Sequence, residues 1–288
     1  MSAADRSARP ARHVLDAIVA SKRSEIARMT ALPSLPPRRR PSERVVAALL
    51  RPNGEGLRLI AEVKLRSPSA GDLSRALAPE ARALAYARGG ARMISVLCDA
   101  PFFAGGFHHL AACRDALDAA LGPERPLLLC KDFILHEAQL DRALDAGADA
   151  ALLIARITSL EALIALAGAA RARGIEPLVE VVNEAEIEAA KAAGARLVGV
   201  NARDLDTLEM DHARAARMLA RVPPDTVAIH LSGLSTPEDV ARVARPPDGE
   251  GRATDAALIG EALMRRDDPT SLLTAMVTAA AVPLRCDR

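Results

Sequence analysis

Short apolar runs recur along most of the chain, at 58–63, 93–97, 127–130, 151–154, 178–182, 197–200, 227–231 and 257–259. Such runs, bounded by turn residues, predict buried strands. The intervals carry helical periodicity at 79–88, 107–121, 136–146, 159–173, 184–193, 211–221, 237–243 and 271–281. Strands that alternate with helices predict a parallel sheet, because parallel neighbours need a crossover connection. Eight such units over roughly 230 residues suit an α/β fold of the (β/α)8 TIM barrel kind. A doubly wound open sheet is the alternative, but no G-x-G-x-x-G follows the first strand.

Three further segments precede the first strand. Residues 13–29 place Val14, Leu15, Ile18, Val19, Ile26 and Met29 near helical spacing, which predicts an amphipathic helix. Residues 32–41 hold four prolines and an arginine run, the composition of an extended linker. Residues 42–50 predict a second short helix. The expected division is therefore a helical extension at 1–56 capping the barrel, and a catalytic barrel at 57–288.

Composition narrows the partners. The formal charge is only +1, so no overall field favours nucleic acid or an anionic membrane, and any anion site must be local. No secretory core and no apolar span long enough for a bilayer stand in the chain, which places it in the cytoplasm. Cys98, Cys113, Cys130 and Cys286 lack C-x-x-C spacing, so no zinc centre is expected.

Candidate chemistry clusters at strand ends. In LRLIAEVKLRSPSAGDL, Glu62 and Lys64 lie two apart near the C-terminal end of the first strand and so project to one side. The turn beyond them, with Ser67, Pro68, Ser69 and Gly71, offers hydroxyls and free backbone N–H groups to an anion. An ordinary salt bridge before an ordinary turn is the competing reading of this stretch. Elsewhere Lys131 and Asp132 close the third strand, Glu180 the fifth, and Asn201 and Arg203 the sixth. Ser232-Gly233 follows the seventh and Gly260-Glu261 the eighth. The C-terminal strand ends line the catalytic mouth of a barrel, so polar groups repeated there point to an active site.

The order E-x-K-x-x-S-P-S-x-G, K-D-F, E-V, N-x-R-x-L and S-G, with the entry helix VLDAIVASKRSEI, resembles the indole-3-glycerol-phosphate synthase family over nearly the whole chain. The resemblance implies a metal-free, cofactor-free enzyme of tryptophan biosynthesis. Its small-molecule substrate would be 1-(2-carboxyphenylamino)-1-deoxyribulose 5-phosphate, closed and decarboxylated to indole-3-glycerol phosphate. Matching positions make Lys131 and Lys64 the proton donors, Glu180 the general base and Glu62 an orienting carboxylate. By the same match Asn201 contacts a substrate hydroxyl and Arg203 faces the anthranilate carboxylate, with Ser232 also at the substrate. Phe103, Phe133 and Leu153 would form a slot for the aromatic ring. Ser67, Gly233 and Gly260 would hold the phosphate, at the loops where this fold commonly binds one.

The chain departs from the family pattern at several points. Leu231 stands where the family has glutamate before Ser-Gly, which removes one acid from the mouth. Cys130 replaces a basic residue before Lys131, and Gly106 stands where serine is usual. The connection at 245–255 is long and rich in Pro and Gly, but it leads into the N-terminal face of the barrel, where little catalytic effect is expected. Two alternatives stand beside the synthase: a paralogous sugar-phosphate enzyme resembling phosphoribosylanthranilate isomerase, and a binding barrel with weakened catalysis. Lys64, Lys131 and Glu180 together favour the synthase.

Overall fold

Eight parallel strands close on themselves, each paired with its neighbours in chain order and the last with the first. They are β1 (Arg58–Val63), β2 (Met93–Leu97), β3 (Leu127–Lys131), β4 (Ala150–Ile154), β5 (Glu176–Val181), β6 (Leu197–Asn201), β7 (Val227–Leu231) and β8 (Ala256–Ile259). The computed structural model describes residues 10–29, 43–52, 55–203, 209–245 and 252–281, with side chains from Val14 onward. The linker expected at 32–41 and most of the connection at 245–255 lie outside the described residues.

Each strand is followed by a helix, as the alternating pattern predicts. After α1 (Pro10–Met29) and α2 (Glu43–Leu49) come α3 (Pro79–Arg88), α4 (Phe107–Leu121), α5 (Glu137–Asp145), α6 (Leu160–Ala172), α7 (Glu184–Ala192), α8 (His212–Leu219), α9 (Pro237–Val243) and α10 (Thr270–Ala280). Polar side chains start several of them: Ser159, Asn183, Asp211 and Thr236 each accept a backbone N–H of the first turn. Such caps satisfy donors that the helix cannot pair internally. β5 begins two residues earlier than the apolar run suggests. Glu176 is wholly buried there and paired with Arg196, which lets a charged residue join the strand. Short pieces without a periodic signal also form: a hairpin of Arg66–Ser67 with Gly71–Asp72, and helical turns at Ala100–Phe103 and Glu261–Met264.

Strand alternation sorts the core into two layers. Ile60, Met93, Leu127, Leu129, Leu152, Leu178, Leu197, Val227, Ile229 and Leu258 fill the barrel interior. Their neighbours Leu59, Ala61, Ile94, Val96, Leu128, Val179, Val198 and Ala228 pack outward against the helices. Both faces are therefore apolar, as expected of parallel strands covered on both sides.

The N-terminal segment closes both ends of this barrel. α2 inserts Val45 and Leu49 into the interior cluster. Beyond it Arg51 donates to the carbonyls of Ala244 (2.7 Å) and Thr254 (3.3 Å), just ahead of β8, so α2 forms the floor at the N-terminal strand ends. α1 lies at the opposite end, with Val14, Leu15 and Ile18 lining the mouth.

Because Leu49 is wholly buried in the floor, Leu49→Ala should cost about 2–5 kcal/mol of stability. Denaturant melts should show this loss while turnover of the folded variant stays unchanged. A loss of turnover at full folding would place the floor in the chemistry.

Candidate active site

The inward positions that end the strands meet in one cavity of about 730 Å³ at the C-terminal face. Glu62, Lys131, Glu180, Asn201 and Leu231 line it, each in the same alternation as the interior residues below it. Lys64 and Gly260 lie one step beyond β1 and β8, and Ser67, Phe103, Phe133, Arg203, Ser232 and Gly233 complete the wall from the loops. Of the residues that the family resemblance assigns to the site, only Leu153 is missing, while Asp132, also marked at a strand end, is buried beside Lys22 outside the cavity lining. Leu153 packs outward in the helix-facing layer, because β4 turns the alternate residues Leu152 and Ile154 to the interior. Ile154 takes its place in the mouth.

Two polar pairs organise the cavity. Lys64 Nζ lies 2.8 Å from Glu62 Oε1, whose residue is only 3% exposed. Burial would raise the Glu62 carboxyl, but Lys64 and then Lys131 outweigh it and hold the group below the usual carboxylate range. Gly260 leaves room for this pair as it stands, since a Cβ there would lie 2.6 Å from Glu62 Oε1 and 3.3 Å from Lys64 Nζ. On the other side Asn201 Nδ2 donates to Glu180 Oε1 at 2.9 Å, and Asn201 Oδ1 accepts the Arg203 N–H at 3.0 Å. Glu180 and Asn201 are thus fixed in orientation before anything binds.

The proposed phosphate end is built from backbone. Ser232 and Gly233 follow β7 with φ of 70° and 84°, a left-handed pair that only glycine adopts without strain. A Cβ at Gly233 would also meet Met210 Cε at 2.2 Å. At the first loop the Ser67 hydroxyl accepts the Ala70 N–H at 3.1 Å and folds the short hairpin back over the mouth. Arg66, beside it, donates to the carbonyls of Ala100 (3.4 Å) and Phe102 (3.3 Å), tying this hairpin to the turn that carries Phe103. The rings of Phe103 and Phe133 stand 5.9 Å apart, tilted by 34°.

Several lining residues carried no sequence signal of their own, among them Leu97, Met210 and His212. Leu97 ends β2 in the inward phase and could have been found from alternation. Met210 and His212 depend on how the loop after β6 returns, through a bridge between Arg203 and Met210. His230, next to the missing acid, does not replace it. Its ring stacks on His212 at 6.0 Å behind the mouth, and burial, then His212, pushes its pKa down to about 4.

The model of the family described as indole-3-glycerol phosphate synthase matches residues 15–276. The chain belongs to this family. A protein of that name from Kineococcus radiotolerans is 40% identical over 278 residues, spanning 94% of this chain and 97% of that protein. The one from Mycobacterium ulcerans is 37% identical over 276 residues, 94% of this chain and 96% of that protein. One from Listeria monocytogenes is 43% identical over 220 residues, 76% of this chain and 82% of that protein. Solved structures far more distant in sequence share the fold. A thiamine phosphate pyrophosphorylase from Pyrococcus furiosus matches with a TM-score of 0.56 at 14% identity, over 78% of this chain and 95% of that one. The synthase family thus accounts for the motifs, and the barrel for their convergence.

The Glu62–Lys64 pair has a pH signature. The folded carboxyl sits below its ordinary value of 4.5, so its stabilising contribution is complete above that pH and is lost as pH falls through the depressed folded value. The melting temperature of Glu62→Gln should therefore lie below the parent at pH 6, with the gap closing towards pH 3. A gap of constant size would show that the pair is not electrostatically coupled.

Proposed function

We propose that this chain is an indole-3-glycerol-phosphate synthase, a decarboxylating carbon–carbon lyase acting in tryptophan biosynthesis. It would convert 1-(2-carboxyphenylamino)-1-deoxyribulose 5-phosphate to indole-3-glycerol phosphate, carbon dioxide and water. The observation that carries this reading is the convergence of Lys64, Lys131, Glu62 and Glu180 in one cavity, with an aromatic slot and a glycine-built turn on its wall. An isomerase of a sugar phosphate has no evident need for two lysines and two carboxylates beside an apolar slot.

The substrate has three parts, and the cavity offers a place for each. Phe103 and Phe133 would take the aromatic ring between them, and Arg203 its carboxylate. The phosphate would accept N–H groups at Gly233 and Gly260 and the hydroxyl of Ser67, at loops suited to phosphate in this fold. This stretches the substrate across the mouth and leaves its ketone near the lysines. A lysine then donates a proton to the ketone oxygen as the ring carbon bearing the carboxylate attacks. Loss of carbon dioxide returns the electron pair to the ring. The second lysine protonates the departing hydroxyl and Glu180 accepts the proton released, forming the indole double bond. Asn201 holds Glu180 for that step, and Glu62 aims Lys64.

We read residues 1–56 as an extension capping the barrel of 57–288 and place the enzyme in the cytoplasm, to which the free cysteines Cys98, Cys113 and Cys130 are suited. No metal or cofactor enters the proposed chemistry.

Purified protein mixed with the carboxyphenylamino substrate should produce indole fluorescence, and no product would sink the reading. Lys131→Ala should lower turnover by about two to four orders of magnitude, the scale of general-acid catalysis. The variant should still fold, because Lys131 is partly exposed at the mouth. Near-normal turnover would remove Lys131 from the mechanism.

A further inference from the structure

Lys22 is a lysine with no place in the chemistry above, and it is buried completely. It lies one helical turn beyond Ile18 on α1, so both point to the same side. Its Nζ stands 2.7 Å from Asp132 Oδ1, 3.2 Å from Asp99 Oδ1 and 2.9 Å from Glu25 Oε2. Asp99 and Asp132 are themselves 0% and 1% exposed. One ammonium therefore joins three elements: the capping helix, the loop after β2 and the loop after β3.

Each partner carries part of the aromatic slot. Asp99 Oδ2 accepts the Phe102 N–H at 2.8 Å and so caps the helical turn that ends in Phe103. Asp132 Oδ1 accepts the Phe133 N–H at 2.9 Å while it also receives Lys22. Asp132 directly follows Lys131 in the chain. The same two carboxylates that hold the backbone of the slot thus depend on one cation from outside the barrel.

Burial of this kind is costly unless every charge is matched. Asp132 Oδ2 has no hydrogen-bond partner among the described residues. Burial raises the Asp132 carboxyl even with Lys22 against it, and Lys22 in turn is raised because its carboxylate partners outweigh its own desolvation. Without the ammonium, Asp99 and Asp132 would face each other in an apolar setting. Repulsion or protonation would then part the two loops, or release the N–H groups that the carboxylates hold.

We propose that Lys22 is a positioning residue for the proposed reaction: its ammonium clamps the loops after β2 and β3 together and sets the spacing of the Phe103–Phe133 slot. α1 is on this account the supplier of the charge that assembles the aromatic half of the site as well as a lid over it. At the phosphate end the loops after β7 and β8 take no support from this cation, and the loop after β1 meets the clamped turn through Arg66.

The test uses the full chain at a temperature where circular dichroism shows every variant folded. Lys22→Met should raise KM at least tenfold and lower kcat less than that, while inorganic phosphate inhibits with a Ki within twofold of the parent. Lys22→Met/Asp132→Asn, which restores the charge balance, should recover part of the KM. Lys191→Met, an exposed lysine paired with Glu188, serves as the control and should change nothing. Kinetic constants of Lys22→Met within twofold of the parent would overturn the proposal, and so would a parallel rise in the phosphate Ki or no recovery in the double variant.

A second readout does not depend on turnover, so a failure of the proposed reaction stays distinguishable from a failure of the clamp. The chain has only four phenylalanines, so fluorophenylalanine labelling yields four fluorine resonances, assignable by single Phe→Leu variants. Lys22→Met should shift or broaden those of Phe103 and Phe133. Unmoved resonances would show that Lys22 stabilises the fold without setting the slot.

Discussion

The site depends on one geometric constraint: a closed parallel barrel gives every strand residue an inward or an outward place, in strict alternation. The interior has room for apolar layers below and opens only at its C-terminal end. Any inward position at that end must therefore face the cavity. Glu62, Lys131, Glu180 and Asn201 are held in one mouth for this reason, though they come from four strands spread over much of the chain. No loop conformation has to bring them together. The sheet does it, and the interior residues below them, Ile60, Leu129, Leu178 and Leu197, hold the register.

A mouth of this kind concentrates charge where water is partly excluded, so each charge needs a partner. Glu62 and Lys64 neutralise each other at 2.8 Å, with Lys131 adding to the field. Glu180 is oriented by an amide, Asn201, rather than by a cation. Lys22 shows the same rule one layer out, where two buried aspartates after β2 and β3 require a cation and α1 delivers it. The N-terminal segment is integral to the barrel at both ends, through charge at the mouth and through Val45 and Leu49 at the floor.

Leu231 shows how one departure from the family pattern is absorbed. It occupies an inward position at the mouth, and its Cδ1 lies 2.6 Å from where a Cβ on Gly199 would stand. The glycine on β6 leaves space that leucine fills, so this stretch of wall is apolar and closely packed. His230 stays behind the wall, and the lost acid has no substitute on β7. The carboxylates that remain in the cavity sit on other strands.

The order and kind of elements were legible in the chain, because short apolar runs and helical periodicity alternate regularly and each has a direct physical meaning. The inward residues were legible wherever a polar side chain marked the phase of a strand, as Lys131 does on β3 and Glu180 on β5. On β4 the run Ala-Ala-Leu-Leu-Ile has no polar marker and is buried on both faces. Nothing local there distinguishes Leu153 from Ile154, and only the neighbouring strands settle which one turns inward. The small pieces around the mouth were equally silent. The hairpin at Ser67, the helical turn before Phe103 and the return of Met210 and His212 are set by contacts between loops far apart in sequence. Lys22 is the clearest case. On paper it is one more charge on an amphipathic helix, and its burial follows from two aspartates that the folded barrel alone brings beneath it.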